Sequence, residues 1–333
     1  MYKIPLSVPS INGNELKYVK ECLDKEWVSS AGTYVDLFEK KIAQYTNSKY
    51  AIACVNGTAA LQVSIRLSGV KPGEEVIIPS LTFIAPVNAI VYNGAIPIFM
   101  DSDDFYNIDV AKTIQFIENE TTFKDGLSYN KRTGNVVSAI IPVHIWGNAC
   151  WLDDLAFLCR ERNISIIEDA SESLGTSYTK GKYQGMHTGT VGALGCLSFN
   201  GNKIITTGGG GMILTNEKSL AEKAKYLTTQ AKDDPVRYIH NDIGYNFRLT
   251  NIQAALGVAQ LEQLPGFIKR KKEIHNYYKS TIDNIDGLAI SKGPDFSSNN
   301  YWINILQIDS SAYNHNIENL MQRFDQKGIQ TRP

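Results

Sequence analysis

A carboxylate, a hydroxyl and a lysine follow apolar runs near the middle of this 333-residue chain. Ser165-Ile166-Ile167 leads into Glu168-Asp169, and Ala193 to Leu197 leads into Ser198-Phe199. Asn200-Gly201-Asn202-Lys203 comes next, then Thr206-Thr207 and four glycines, Gly208 to Gly211. A lysine amine can form a Schiff base, a carboxylate can hold a ring nitrogen protonated, and hydroxyls can donate to phosphate. Pyridoxal 5'-phosphate needs all three, so Lys203 is the candidate nucleophile and Asp169 the candidate ring partner.

Other residues extend the set, and each keeps a plainer reading. Asn56-Gly57-Thr58 follows an apolar run and opens a helical pattern. Gly57 and Thr58 there can approach a phosphate, or form only a strand-to-helix turn. Ser198 can donate to phosphate or satisfy a backbone group. Asp169 can instead cap a following helix. Glu172, three residues on, can reach the cofactor hydroxyl or make a capping interaction. Phe83 can stack on a planar ring or sit in the core. The four glycines match neither GxGxxG nor a Walker loop, so a nicotinamide dehydrogenase is disfavoured. No HExxH, GxSxG or metal-spaced Cys/His cluster is present. His144 follows a strand in Pro142-Val143-His144-Ile145-Trp146-Gly147 and is the histidine best placed to line a cleft.

The elements that must position these groups alternate. Strands are expected at Tyr50–Val55, Glu75–Ile78, Ile96–Met100, Val136–Pro142, Ile164–Ile167, Ala193–Phe199 and Gly211–Thr215. Helices are expected at Thr58–Leu67, Pro86–Tyr92 and Leu152–Arg162. This rhythm, with nearly continuous apolar strands, predicts an α/β fold with a mostly parallel sheet covered on both faces. Ligands in such sheets sit beyond the carboxyl ends of the strands, where Asn56-Gly57-Thr58, Asp169 and Ser198 all fall. Later the pattern changes: a helix over Asn251–Leu264, a break at Pro265, a helix over Lys269–Ile282, a strand over Tyr301–Ile308 and a helix over Ile317–Lys327. That predicts a large domain over 1–245 and a smaller α+β domain over 246–333.

Composition places the chain among ordinary globular proteins, with 43% hydrophobic and 20% charged residues. A formal net charge of −1 gives no global pull toward nucleic acid or membrane. Five cysteines without a CxxC pair, and no apolar signal core at the N-terminus, point to reduced thiols and a cytoplasmic setting.

Taken in order, these pieces resemble the DegT/DnrJ/EryC1/StrS family of sugar aminotransferases, which are fold type I pyridoxal-phosphate enzymes. The matching stretches are Trp27-Val28-Ser29-Ser30-Ala31-Gly32, Asn56-Gly57-Thr58-Ala59-Ala60-Leu61, Pro79-Ser80-Leu81-Thr82-Phe83, Glu168-Asp169-Ala170-Ser171-Glu172, Ser198 to Lys203, and Gly244-Tyr245-Asn246-Phe247-Arg248. The resemblance implies Lys203 as the Schiff-base lysine, Asp169 at the pyridine nitrogen and Glu172 beside the cofactor hydroxyl. It implies phosphate contacts from Gly57, Thr58 and Ser198, with Phe83 near the ring. It also implies that Asn246 reaches the phosphate of a second subunit, hence a homodimer with shared active sites.

A narrower resemblance is to aminotransferases acting on UDP-linked 4-keto-6-deoxy-N-acetylhexosamines. It rests on Val28 to Asp36, Ser198 to Lys203 with the glycines that follow, and Thr228-Thr229-Gln230-Ala231-Lys232. The implied reaction is ping-pong, moving an amino group from L-glutamate to a nucleotide-linked keto-sugar through pyridoxamine phosphate. His144, Lys232, Arg237, Tyr301 and Arg332 are candidates to contact sugar or diphosphate, or serve as surface charge or packing. Lysine at 203 argues against the dehydratase relatives, which carry histidine there; a regulatory relative that binds cofactor without turnover is the other alternative. Two departures stand out. Gly209 occupies the place of a glutamate common in the family's glycine run. Family members also usually continue for roughly a helix and a strand past Thr331-Arg332-Pro333, which would leave the smaller domain incomplete.

Overall fold

The structure, a computed structural model, describes residues 2–234, 236–313 and 315–333. Two helices, α1 (Glu15–Asp24) and α2 (Thr33–Thr46), precede the first strand, β1 (Tyr50–Cys54). Then come α3 (Gly57–Leu67), β2 (Glu75–Pro79), α4 (Ile84–Tyr92), β3 (Ile96–Met100) and α5 (Val110–Asn119). A hairpin, β4 (Thr121–Lys124) and β5 (Leu127–Asn130), leads to β6 (Val137–Ile140), α6 (Asp153–Glu161) and β7 (Ser165–Asp169). The short β8 (Ser177–Tyr178) precedes β9 (Leu194–Ser198), β10 (Gly211–Thr215) and α7 (Lys218–Thr228). The long α8 (Asn251–Ile282) is followed by β11 (Leu288–Ile290), β12 (Ser297–Ser298), β13 (Leu306–Ile308) and α9 (Ile317–Gln326).

Among the described residues the central sheet has seven strands in the order β1-β10-β9-β7-β6-β2-β3. Strands β9, β7, β6, β2 and β3 run parallel, and β10 runs antiparallel to both its neighbours. The carboxyl ends of β1, β9, β7, β6 and β2 therefore open onto one edge.

Both faces of the sheet are apolar because successive strand residues point to opposite sides. Ile52, Cys54, Cys196 and Ile213 pack with α3, α4 and α7 on one side. Ala51, Ala53, Leu197, Met212 and Leu214 pack with Val35, Phe38 and Ile42 of α2 and Ala254, Val258, Leu261 and Leu264 of α8 on the other. A third cluster sets α6 against β6 and β7. The expected covered, mostly parallel sheet is thus present.

Two expectations fail. Pro265 does not break the chain into two helices but lies inside α8. A proline forfeits one helical hydrogen bond and costs roughly 3 kcal/mol in a helix interior. Here the first turns are held on the sheet by Ala254, Val258 and Leu261 and capped by the Thr250–Gln253 box, while His275 is buried farther along. Tertiary packing on both sides of the proline offsets the loss. The strand expected over Tyr301–Ile308 is confined to Leu306–Ile308. Tyr301 adopts φ +53°, and Asn299 and Asn300 accept the backbone N–H groups of Tyr301 and Trp302. Such side-chain-to-backbone bonds replace a strand ladder. Helices α1, α2, α5 and α7 and the β4–β5 hairpin are present in addition to the elements expected from the sequence.

Candidate active site

The site begins where β1 ends. Asn56 caps α3 by accepting the Ala59 N–H at 2.7 Å, so the first amides of the helix face the strand-end edge. A Cβ on Gly57 would lie 2.9 Å from Ser198 Cβ and 3.3 Å from Ser171 Oγ. Gly211, opening β10, abuts the Asn56 carbonyl so closely that any side chain would collide with it. Glycine at both positions lets β1, β9 and the Ser171 loop converge on a cradle of helix amides and hydroxyls, with Thr58 beside it. Free amides and hydroxyls at a helix N-terminus are the donor set a phosphate requires. Ser171 is a member that sequence reasoning misses; only the fold brings it beside Ser198.

Asp169 ends β7 and is 5% exposed. Its Oδ1 accepts the Ser171 N–H at 3.0 Å, while Oδ2 has no hydrogen-bond partner among the described residues. No helix follows it before β8, so it is not a helix cap. A buried carboxylate with an open oxygen suits a protonated ring nitrogen. The donors and acceptors therefore fit pyridoxal phosphate, with hydroxyls and amides at one end and Asp169 at the other.

Lys203 follows β9 in the turn after Ser198. Its Nζ is 3.2 Å from Glu172 Oε1, and its side chain is 11% exposed. Glu172 Oε2 accepts the Trp146 N–H at 2.7 Å. Burial raises the Glu172 carboxyl above its ordinary range; the Lys203 ammonium and Trp146 amide oppose that rise, and the Asp169 charge adds to it. Glu172 is thus a partner of the lysine. Two rings flank the amine, Phe83 at 5.3 Å and Trp302 at 4.2 Å from ring centroid to Nζ. Phe83 is exposed at the cleft, whereas Trp302 is buried. Trp302 arrives from a segment a hundred residues away and has no motif to announce it.

His144 does not line a cleft as expected. It is fully buried, and its Nδ1 accepts the Cys150 N–H at 3.0 Å. The proton therefore sits on Nε2, which donates to Glu168 Oε2 at 2.8 Å. Glu168 also accepts the N–H groups of Gly189, Val191 and Gly192. Burial alone would raise its carboxyl, but His144 and these amides outweigh it and hold it below the usual range. Glu168 and His144 are enclosed and pair with each other, bracing the strand that carries Asp169.

The other candidates lie apart from Lys203 in contact terms. Lys232 sits over the Tyr238 ring at 5.0 Å. Arg237 is exposed and 3.8 Å from Asp234. Tyr301 packs on His275, with centroids 4.4 Å apart. Arg332 is exposed and donates to the Thr331 carbonyl. Asn246 is exposed and accepts from Arg248 Nε at 3.3 Å. Each remains a candidate substrate or partner contact without a contact to the lysine.

Comparison with known proteins gives the family. The family model described as "DegT/DnrJ/EryC1/StrS aminotransferase family" matches residues 9–333. A GDP-perosamine synthase of Escherichia coli O157:H7 is 40% identical over 334 residues, covering 100% of this chain and 85% of that protein. The GDP-perosamine synthase of Caulobacter vibrioides is 36% identical over 333 residues, with 99% and 84% covered. Among solved structures, the aminotransferase TlmJ from Streptoalloteichus hindustanus superposes with TM-score 0.85 at 26% identity, over 98% of this chain and 83% of that one. DesI, solved in the presence of its TDP-sugar product, gives TM-score 0.85 at 25% identity, over 100% and 80%. By matched length, identity and fold together, the chain belongs to the DegT/DnrJ/EryC1/StrS aminotransferase family, enzymes of fold type I that depend on pyridoxal phosphate.

Proposed function

We propose that this aminotransferase moves an amino group from L-glutamate to the carbonyl carbon of a nucleotide-linked 4-keto-6-deoxy sugar. The observation that carries the reading is the buried Lys203 amine beside Glu172, with the open Asp169 oxygen and the Gly57–Ser198 cradle at strand ends on one edge of the sheet. The nucleotide is the finer question. Relatives named for GDP-perosamine favour a guanosine-linked sugar and lend no support to the uridine-linked N-acetylhexosamine expected from the narrower resemblance.

Pyridoxal phosphate, when bound, supplies the electron sink that makes an amino-acid α-proton acidic and carries the amino group between substrates. The chain's residues do the rest. Gly57, Thr58, Ser198 and the first amides of α3 hold the phosphate. Asp169 keeps the ring nitrogen protonated. Lys203 Nζ serves as the attachment amine and, once displaced, as the base that takes the α-proton and returns it as an acid. Phe83 packs on the ring side of the cleft, and Glu172 holds the free lysine.

Asn246 is exposed, and an apolar run over the β2–α4–β3 edge (Leu81, Phe83, Ile84, Val91, Tyr92, Phe99) is exposed with it. A patch of this kind supports a homodimer in which Asn246 completes the partner's phosphate site. The five buried, unpaired cysteines suit a reducing compartment and hence the cytoplasm. No helix among the described residues is long and apolar enough to cross a membrane.

The test is a substrate screen. Protein loaded with cofactor and L-glutamate is offered GDP-, UDP- and dTDP-linked 4-keto-6-deoxy sugars, and amino-sugar product is measured. Product with the GDP sugar at the highest kcat/KM is expected. Conversion of the cofactor by glutamate without product from any sugar would move the assignment to another keto acceptor. No conversion by glutamate would leave a cofactor-binding protein without turnover.

A further inference from the structure

Trp302 approaches the lysine more closely than the other ring, and its position is fixed from several sides. Its Nε1–H donates to the Asn202 carbonyl at 2.7 Å, on the peptide preceding Lys203. Its backbone N–H donates to Asn300 Oδ1 at 2.9 Å, and its carbonyl accepts from Lys271 Nζ at 2.9 Å. Asn300 in turn donates through Nδ2 to the carbonyls of Glu172 and Leu174 at 2.8 and 3.0 Å. The indole is thus hung from the loop that carries Glu172 and tied to the peptide that carries Lys203. It is 1% exposed, so it is too deeply enclosed to be a substrate contact.

An indole face is the strongest of the aromatic partners for a cation, and desolvation strengthens the attraction. A free lysine ammonium presents a full charge and three N–H donors. After attachment, the nitrogen keeps one N–H and shares its charge with the cofactor. Trp302 and Glu172 therefore favour the free state over the attached one.

We propose that Trp302, with Glu172, forms a holding site for Lys203 in its free ammonium form, so that Trp302 is a positioning residue for the displaced half of the cycle. The inference rests on the reading of Lys203 as the attachment amine. Attachment joins Nζ to the cofactor's aldehyde carbon and releases water. Displacement transfers that carbon to the donor nitrogen, which loses one hydrogen as Nζ regains one. The α-proton that Nζ then takes as the base makes it the ammonium that the ring and carboxylate receive.

The test compares equilibrium binding of pyridoxal phosphate and pyridoxamine phosphate to the apo-protein. Pyridoxamine phosphate leaves Lys203 free before and after binding, so the holding site cancels. In Trp302→Leu, pyridoxal phosphate is expected to bind about tenfold tighter relative to pyridoxamine phosphate than in the wild type. Trp302→Phe, which keeps a ring but a weaker face, should fall between the wild type and Trp302→Leu. Fluorinated tryptophans, which keep the ring's shape and weaken its face, should shift the ratio stepwise in the wild type and leave Trp302→Phe unmoved; this series decides if Trp302→Leu does not fold. Equal weakening of both ligands in Trp302→Leu, or a ratio indifferent to fluorine, would overturn the proposal. Lys203→Ala separates the two readings. Retained covalent absorbance in that variant would sink the attachment role itself, whatever Trp302 does.

Discussion

The floor and the roof of this site are built by different means. The floor is made of strand ends: Gly57 after β1, Asp169 at the end of β7, Ser198 at the end of β9. They come together because β1, β7 and β9 run in the same direction, with β10 antiparallel between β1 and β9, so each delivers its last residue to the same edge. The roof, residues 299–302, belongs to no regular element. It is held by amide side chains: Asn299 donates to Asn148, Asn300 to Glu172 and Leu174, and Trp302 to Asn202. At Gly147, φ +91°, the Asn300 amide occupies the space a side chain would need. A floor of this kind follows from topology, whereas a roof of this kind follows from a few specific bonds. The floor should therefore tolerate change in its surroundings, and the roof should fail residue by residue.

The largest effect should come from the residue both regions share. Lys203→Ala is expected to lower kcat by at least about 10³-fold and abolish the visible absorbance of attached cofactor, with a thermal midpoint near that of the wild-type apo-protein. Near-normal turnover would break the assignment.

A pH series tests the loop that joins floor to roof. His187 is buried, accepts the Gly175 N–H through Nε2 and donates from Nδ1 to the Thr188 carbonyl. Burial pushes its imidazole down to about 4 from an ordinary 6.5. Because its folded value is depressed, the stability it contributes is complete above about pH 6.5 and is lost as pH falls toward 4. The expected loss is roughly 3 kcal/mol, read by urea unfolding. A His187→Gln variant with an unchanged slope over that window would show that another group is responsible.

Asn300→Ala isolates the roof. It strips partners from the Glu172 and Leu174 carbonyls and the Trp302 amide, and should cost about 2–3 kcal/mol. It should also shift Trp302 fluorescence toward that of a solvated indole. A shifted emission with unchanged stability would mean that the roof is less firmly held than its bonds suggest.

The smallest effect isolates the floor. Gly57→Ala places a methyl 2.9 Å from Ser198 Cβ. It should weaken cofactor binding by about tenfold while leaving the unfolding free energy within about 1 kcal/mol. An equal fall in stability would mean that Gly57 serves packing more than phosphate.

Legibility in the sequence divides along the same line. Strand periodicity announces the sheet and the ends of its strands, so the meeting of Gly57, Asp169 and Ser198 at one edge is legible from the order of residues alone. His144 is not, because a histidine after a strand looks the same whether it faces a cleft or, as here, Glu168. Pro265 misleads because the packing that carries α8 past it comes from residues distant in sequence. Trp302 and Ser171 stay hidden because neither type nor spacing distinguishes them from core or loop residues.

By itself the sequence determined which chemistry was available: an amine, a carboxylate, and hydroxyl and amide donors near strand ends, spaced by a β–α rhythm that local propensity and hydrophobic period impose. Only the tertiary structure decided what surrounds the amine. Glu172, Phe83 and Trp302 reach Lys203 from three separate segments. Such contacts depend on loop closure and side-chain packing across long sequence separations, which no local pattern encodes.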